Sequence, residues 1–289
     1  MSNIEKRKKA VNSNTIISLI LSFVLAVLLL IISATLIIDR FVLSETGITS
    51  SLSESNYHEG VYQLIRDSVG DTLLPTQLPQ SIIDDAVTAD ILYADLNEYV
   101  AHMFAGDLAN LHQERDEIVA LLNYNIDYVL SDLGTTQTEV GYEIIAAVVD
   151  SIIADYNHYI NTPFLSYITR LNGLFGDHLQ QLILVGVAGI LITSGIIYLV
   201  SRNSKHLTLR YYAFSFGAAA LMLIAAPLAL RIWGVYHRLA IGQEFIYDFV
   251  VTHIERSITS FLLVGALFIV LYLIFITIST ILQKKTAHA

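Results

Sequence analysis

The sequence predicts an all-α integral membrane protein, with four transmembrane helices and an extracytoplasmic helical bundle inserted between the first and the second. Three observations predict it. The chain of 289 residues is 54% hydrophobic and only 15% charged, whereas a soluble domain carries about 25% charge. Its mean hydropathy is +0.59. The apolar residues gather in long blocks, each long enough for the roughly 20 residues that cross a hydrocarbon core of about 30 Å. Lysine and arginine are segregated from the acids along the chain, in the pattern that sets membrane orientation.

Residues 1–14 form a basic cytoplasmic N-terminus carrying Lys6, Arg7, Lys8 and Lys9. Transmembrane helix 1 covers 15–38, with no charge from Val11 to Ile38 and Asp39-Arg40 closing it. A cleaved signal peptide has an apolar region of only about 7–15 residues. This block is longer, and Ser33-Ala34-Thr35 is a poor cleavage site, so it reads as an uncleaved signal anchor. Residues 39–181 form an acidic domain, and transmembrane helix 2 follows over 182–200. A basic cytoplasmic loop at 201–210 leads to transmembrane helix 3 at 211–230, with Pro227 near its outer end. Residues 231–257 are read as an extracytoplasmic helical hairpin, 258–282 as transmembrane helix 4 and 283–289 as a cytoplasmic tail. The three inner segments hold nine basic residues and one acid, Glu5, and contain all six lysines. The segment from Asp39 to Gln181 holds four arginines against 22 acids, a net of −18. Both termini are therefore expected in the cytoplasm, in a cell (plasma) membrane.

Within the acidic domain the hydrophobic period is helical. Ile118, Leu121, Leu122, Ile126, Val129, Leu130 and Leu133 recur at three- and four-residue steps before Gly134. Thr136 and Glu139 form a capping box for a helix whose stripe is Val140, Ile144, Ile145, Val148, Ile152, Tyr156 and Ile160. Earlier helices are expected at about Asn56–Val69, stopping at Gly70, and Ala89–Phe104, stopping at Gly106. Between them Leu74-Pro75 and Leu78-Pro79 mark an extended connector, followed by a short helix near Ser81–Val87. Ser44–Ser55, rich in Ser, Thr and Gly, reads as a flexible link. After Pro163 the helical pattern runs on into the second span. The stretches from Ser55-Asn56-Tyr57 to Val69, and from Thr88-Ala89-Asp90 to Asp107, resemble uncharacterised multi-pass membrane proteins of Gram-positive bacteria. The resemblance implies a membrane location and little else.

No motif for catalysis stands out. Cysteine is absent, which excludes disulfides, thiolate metal sites and thiol nucleophiles. There is no Gly-x-Ser-x-Gly, no phosphate-binding glycine loop and no His-Glu-x-x-His. Asp84, Asp85, Asp90, Asp95 and Glu98 match no calcium loop, and His58, His102, His112 and His158 lie singly on separate helices. The spans carry no ionisable residue in their apolar cores, which argues against a pump. The basic residues hug the membrane, as orientation and anionic headgroups require, so nucleic acid is not an expected partner. No catalytic residue, cofactor or metal is assigned. The region 231–257 collects interface candidates: Arg231, Trp233, His237, Arg238, Asp248, His253 and Arg256. The plainer reading of this set is an aromatic belt with interface anchors. The reading that follows is a non-enzymatic cell-envelope protein: the bilayer holds the spans, and the acidic domain binds an envelope protein or wall polymer. A transport or channel component, and an interfacial enzyme acting on lipid-linked substrates, are the alternatives.

Because the chain lacks cysteine, single cysteines report topology directly. On intact cells a membrane-impermeant thiol reagent should label positions near Asp116 and Gln243 and spare those near Ser204 and Thr286. Labelling at Ser204 would overturn the orientation.

Overall fold

The computed structural model describes residues 3–76, 78–107, 115–134, 142–160, 163–202 and 204–287. Among these residues every regular element is helical and no strand occurs. In chain order the helices are α1 (Asn3–Ile37), α2 (Glu45–Glu54), α3 (Tyr57–Leu73), α4 (Ala89–Ala105), α5 (Arg115–Asp132), α6 (Tyr142–Ile160), α7 (Pro163–Val200), α8 (Lys205–Trp233) and α9 (Glu244–Ala287). A π-helical turn, Ile38–Val42, closes α1, and 3-10 turns lie at Leu74–Thr76, Gln80–Ile83 and Val235–Arg238. Among the described residues four stretches are long and apolar enough to cross a membrane: Asn14–Val42, His178–Val200, Lys205–Arg238 and Glu244–Lys285. The chain divides into two units. The first takes Met1–Val42, Gly173–Leu239 and Ile254–Ala289, and the second takes Leu43–Asn172 and Ala240–His253.

In the first unit α8 meets each of the other long helices. Against α1 it makes a polar clasp. The Ser22 hydroxyl donates to the Tyr211 carbonyl at 2.9 Å, the Ser215 hydroxyl donates to the Ser22 carbonyl at 2.8 Å, and the two hydroxyls lie 3.0 Å apart. In an apolar surround such bonds contribute about 0.6–2 kcal/mol each. Against α7, the Tyr212 hydroxyl donates to the Ser194 carbonyl at 2.8 Å, while Leu25, Ile197 and Tyr211 pack together from three helices. Against α9, Phe216 stands edge-on to Phe268 at 5.4 Å and stacks on Phe275 at 5.5 Å. At the far end the Ser279 hydroxyl donates to the His206 carbonyl at 2.6 Å. Helices come close where one contributes glycine: a Cβ on Gly186 would lie 2.5 Å from Ile32 Cγ1, and one on Gly265 would lie 2.5 Å from Ile224 Cγ1. Small residues at such contacts let backbones approach.

The helix α8 does not run on to Ile241 as its apolar pattern suggests. Gly234 takes φ +57, the left-handed conformation that glycine adopts without a Cβ penalty. Its N–H returns to the Leu230 carbonyl at 3.0 Å, which ends the helix. A single 3-10 turn follows, and residues 239–243 are not helical. Only the α9 side of the expected hairpin is a full helix, beginning at Glu244.

The second unit has one core. It is built from α2, α3, the 3-10 turn at Gln80–Ile83, α4, α5, α6 and the first turns of α9. Along α3, Tyr57, Val61, Ile65, Val69 and Leu73 recur every four residues and are all buried. The face they form meets Phe249, 1% exposed, with Phe245, Ile246 and Val250 packed beside it. Tyr57 stands edge-on to both Phe245 and Phe249, at 5.1 and 5.9 Å. Aromatic pairs of this kind add about 0.5–1.5 kcal/mol beyond area burial. Gly60 makes the approach possible, since a Cβ there would sit 2.3 Å from Phe245 Cβ.

Several elements depart from the sequence-based expectation. The stretch expected to be a flexible link is the helix α2. The Ser44 side chain caps it, accepting from the Gly47 N–H at 3.0 Å, and Ile48 and Leu52 are buried one turn apart. Gly70 does not stop α3, which runs one more turn, buries Leu73 and ends against Pro75. Ile144 and Leu133, expected in the core stripes, are 53% and 64% exposed. Leu133 lies past the last turn of α5, and Ile144 lies one step of about 100° from the buried Ile145. The Thr136–Glu139 capping box and Val140 fall outside the described residues.

Phe249→Ala should destabilise the second unit by about 3–5 kcal/mol, the usual cost of emptying a buried phenylalanine site. Hydrogen exchange of the α3 amides measures it. Tyr124→Ala, on the exposed side of α5, should stay within about 0.5 kcal/mol of the parent. Equal protection in the two variants would refute the role of Phe249.

Candidate functional site

The interface candidates of 231–257 divide between the two units. Arg231, Trp233, His237, Arg238 and Arg256 belong to the first and are exposed, while Asp248 and His253 belong to the second. In the first unit the 3-10 turn after Gly234 is tied to α9. His237 Nε2 lies 3.7 Å from Glu255 Oε1, and the Tyr236 hydroxyl donates to the same carboxylate oxygen at 3.4 Å. The Tyr236 and His237 rings sit 4.3 Å apart. With His237 and Glu255 both about half exposed, this pair is a weak surface tie.

In the second unit Asp248 is exposed and His253 is drawn toward the core. The His253 ring stacks on Phe249 at 5.9 Å, and its Nδ1 lies 2.9 Å from Ser51 Oγ. A serine beside a histidine is the arrangement of an activated nucleophile, but the surroundings decide otherwise. Ser51 is 0% exposed, and its hydroxyl donates to the Gly47 carbonyl one turn back at 2.9 Å. The hydroxyl proton is therefore committed to the backbone, and no substrate reaches the oxygen. His253 Nδ1–H donates to Ser51, and the pair fastens α9 to α2.

The other polar side chains of this unit are used in the same way. The buried Tyr156 hydroxyl donates to Asp95, bridging α6 to α4. Ser68 donates to Asp155 at 2.9 Å, and the Asn125 amide donates to the Ile82 carbonyl at 2.8 Å. Within the acidic run 84–98, Asp84 faces Arg66 at 3.5 Å and Glu98 faces His102 at 3.3 Å. His58 stands edge-on to Tyr93 at 5.3 Å, His158 is exposed, and His112 lies outside the described residues. Among the described residues no three His, Asp or Glu side chains converge as a metal site. Hydrogen bonds from Ser53 and Asn97 lower the pKa of Tyr93, and burial raises that of Tyr99. Both follow from local packing.

This unit also carries a surface concavity. A groove of about 510 Å³ is lined by Asp67, Gly70, Asp71, Leu73, Leu74, Leu78 and Gln80. The last turns of α3 supply one wall, and the connector after it supplies the other. Leu73 forms a buried floor, while Leu74 stands 74% exposed at the rim. The Gln80 amide donates to the Arg66 carbonyl, which folds the connector back over Gly70. Sequence reading located the connector from its prolines but not the groove. The available signal was Asp67 and Asp71 at a four-residue spacing just before Leu73-Leu74.

Tyr156→Phe should cost the second unit about 1.5–3 kcal/mol, the range for a hydrogen bond to a charged group. Denaturant unfolding followed by near-ultraviolet circular dichroism measures it. His158→Ala, an exposed change on the same helix, should have little effect. A loss below about 0.5 kcal/mol for Tyr156→Phe would mean the bond to Asp95 contributes nothing. Comparison with known proteins leaves this geometry to stand alone, since no family model, curated protein or solved structure matches the chain.

Proposed function

We propose that the chain is a multi-pass protein of the cell membrane, with both termini cytoplasmic. Its second unit is an extracytoplasmic helical bundle, inserted between the first and second spans and completed by residues Ala240–His253 after the third, that binds a protein or wall-polymer partner without catalysing a reaction. The charge pattern supports the orientation: every lysine lies in the three short basic segments, and the 39–181 segment carries a net −18. The bilayer's positive-inside bias reads such a pattern one way.

The observation that carries the binding reading is how the second unit spends its polar groups. Ser51, His253, Asp95, Tyr156, Ser68 and Asp155 all bond one helix to another. The surface meanwhile retains apolar and aromatic side chains: Tyr124 and Tyr128 are 68% and 67% exposed, one turn apart on the outer side of α5. Tyrosine is enriched where proteins meet partners, because it offers large contact area at low entropic cost. A rigid acidic bundle with exposed rings suits recognition better than chemistry.

The test is photo-cross-linking in the native membrane. A benzophenone amino acid at Tyr124 or Tyr128 should yield adducts with an envelope protein or wall polymer, and the same probe at Ile278 should yield lipid. Adducts at neither tyrosine, with the protein correctly inserted, would sink the binding reading.

A further inference from the structure

The groove between the end of α3 and the connector has two features that belong together. Asp67 and Asp71 lie one turn apart on α3 and both are exposed. Like charges at this spacing destabilise a helix. The cation nearest in sequence does not relieve them, because the Arg66 guanidinium faces Asp84 at 3.5 Å. Beside the two carboxylates lie Leu73, Leu74 and Leu78, with Leu74 held out in solvent. Gly70 places no side chain in the groove, and Gln80 is held to the Arg66 carbonyl. The volume of about 510 Å³ falls in the range of ligand sites, about 300–1,000 Å³.

The geometry points to a binding site for a basic, leucine-bearing peptide segment of a partner protein. A lysine or arginine head would lie between Asp67 and Asp71, where an arginine can pair with carboxylates in bidentate fashion. Aliphatic stems and a leucine of the segment would cover Leu73, Leu74 and Leu78. The occupant is fixed by charge complementarity: the segment from Asp39 to Gln181 carries a net −18 and contains no lysine. This inference rests on the partner-binding reading above and names the partner's chemistry and its seat.

The experiment uses the full chain in nanodiscs and, as probe, a fluorescein-labelled peptide of sequence Leu-Lys-Ala-Leu-Arg, followed by fluorescence anisotropy at low salt. The parent should bind it, and a Leu-Glu-Ala-Leu-Glu peptide should not bind. Asp67→Asn/Asp71→Asn should weaken binding about tenfold or more, and Leu74→Ala should also weaken it. All three positions are exposed, and unchanged circular dichroism verifies the fold. Asp127→Asn/Asp132→Asn removes the same charge from exposed positions outside the groove and should leave affinity within about twofold. Equal weakening by the two double variants would overturn the proposal in favour of diffuse attraction, as would a parent that does not bind. Either result leaves the cross-linking at Tyr124 and Tyr128 to decide the broader reading on its own.

Discussion

The second unit depends on the meeting of Tyr57 with Phe249. Tyr57 is the first residue of α3, and Phe249 comes from the opening turns of the last helix, far downstream in the chain. Both rings are essentially without solvent contact. Around them gather Ile48 and Leu52 of α2, the buried row of α3, and, through α4 and α6, the rest of the core. With no disulfide to assist, apolar packing and a few buried hydrogen bonds carry the unit. The polar bonds occur where two helices must be fixed in register: His253 to Ser51, Tyr156 to Asp95, Ser68 to Asp155.

The first unit is organised by a different force. Its helices are apolar nearly all round, so in lipid they gain little by burying one another. Specific contacts then decide the arrangement. They are short hydroxyl bonds such as Ser22 to Ser215 and Tyr212 to Ser194, close approaches at Gly186 and Gly265, and the ring stack of Phe216 on Phe275. Helix α8, rich in alanine over Ala218-Ala219-Ala220, can serve three neighbours because small side chains leave room on several faces.

Much of this was legible in the sequence, and the reasons for what was not are physical. The long apolar blocks needed only length and hydropathy, and the four helices fall where those blocks lie. Helices α4 and α5 were legible from their period and their terminal glycines, Gly106 and Gly134, which take positive φ. Helix α2 was missed because its Ser, Thr and Gly content imitates a linker. Its helicity comes from one capping serine and two buried residues whose partners are distant. Gly70 misled in the opposite direction, since a glycine inside a helix can serve a close approach as well as a stop. The turn at Gly234 was missed because the flanking apolar residues keep a helical step through it. The candidate residues of 231–257 were visible as residue types, but their division between two units was not, because no local pattern records tertiary contacts. The groove at Asp67 and Asp71 is likewise a product of chain reversal.

The contribution of Phe245 and Phe249 to the core also sets an order of events during synthesis. Chains emerge from the N-terminus at roughly 5–20 residues per second, so α2 to α6 exist before residues 244–253 have been made. Through that interval the Tyr57 end of α3 lacks its contacts with Phe245 and Phe249, and contacts so distant in sequence are slow to form. The unit is thus completed only when the last helix begins to appear, and a chain truncated before Glu244 keeps an apolar seam open. Quality control that recognises exposed apolar surface would therefore distinguish a chain that has reached His253 from one that stops before Glu244.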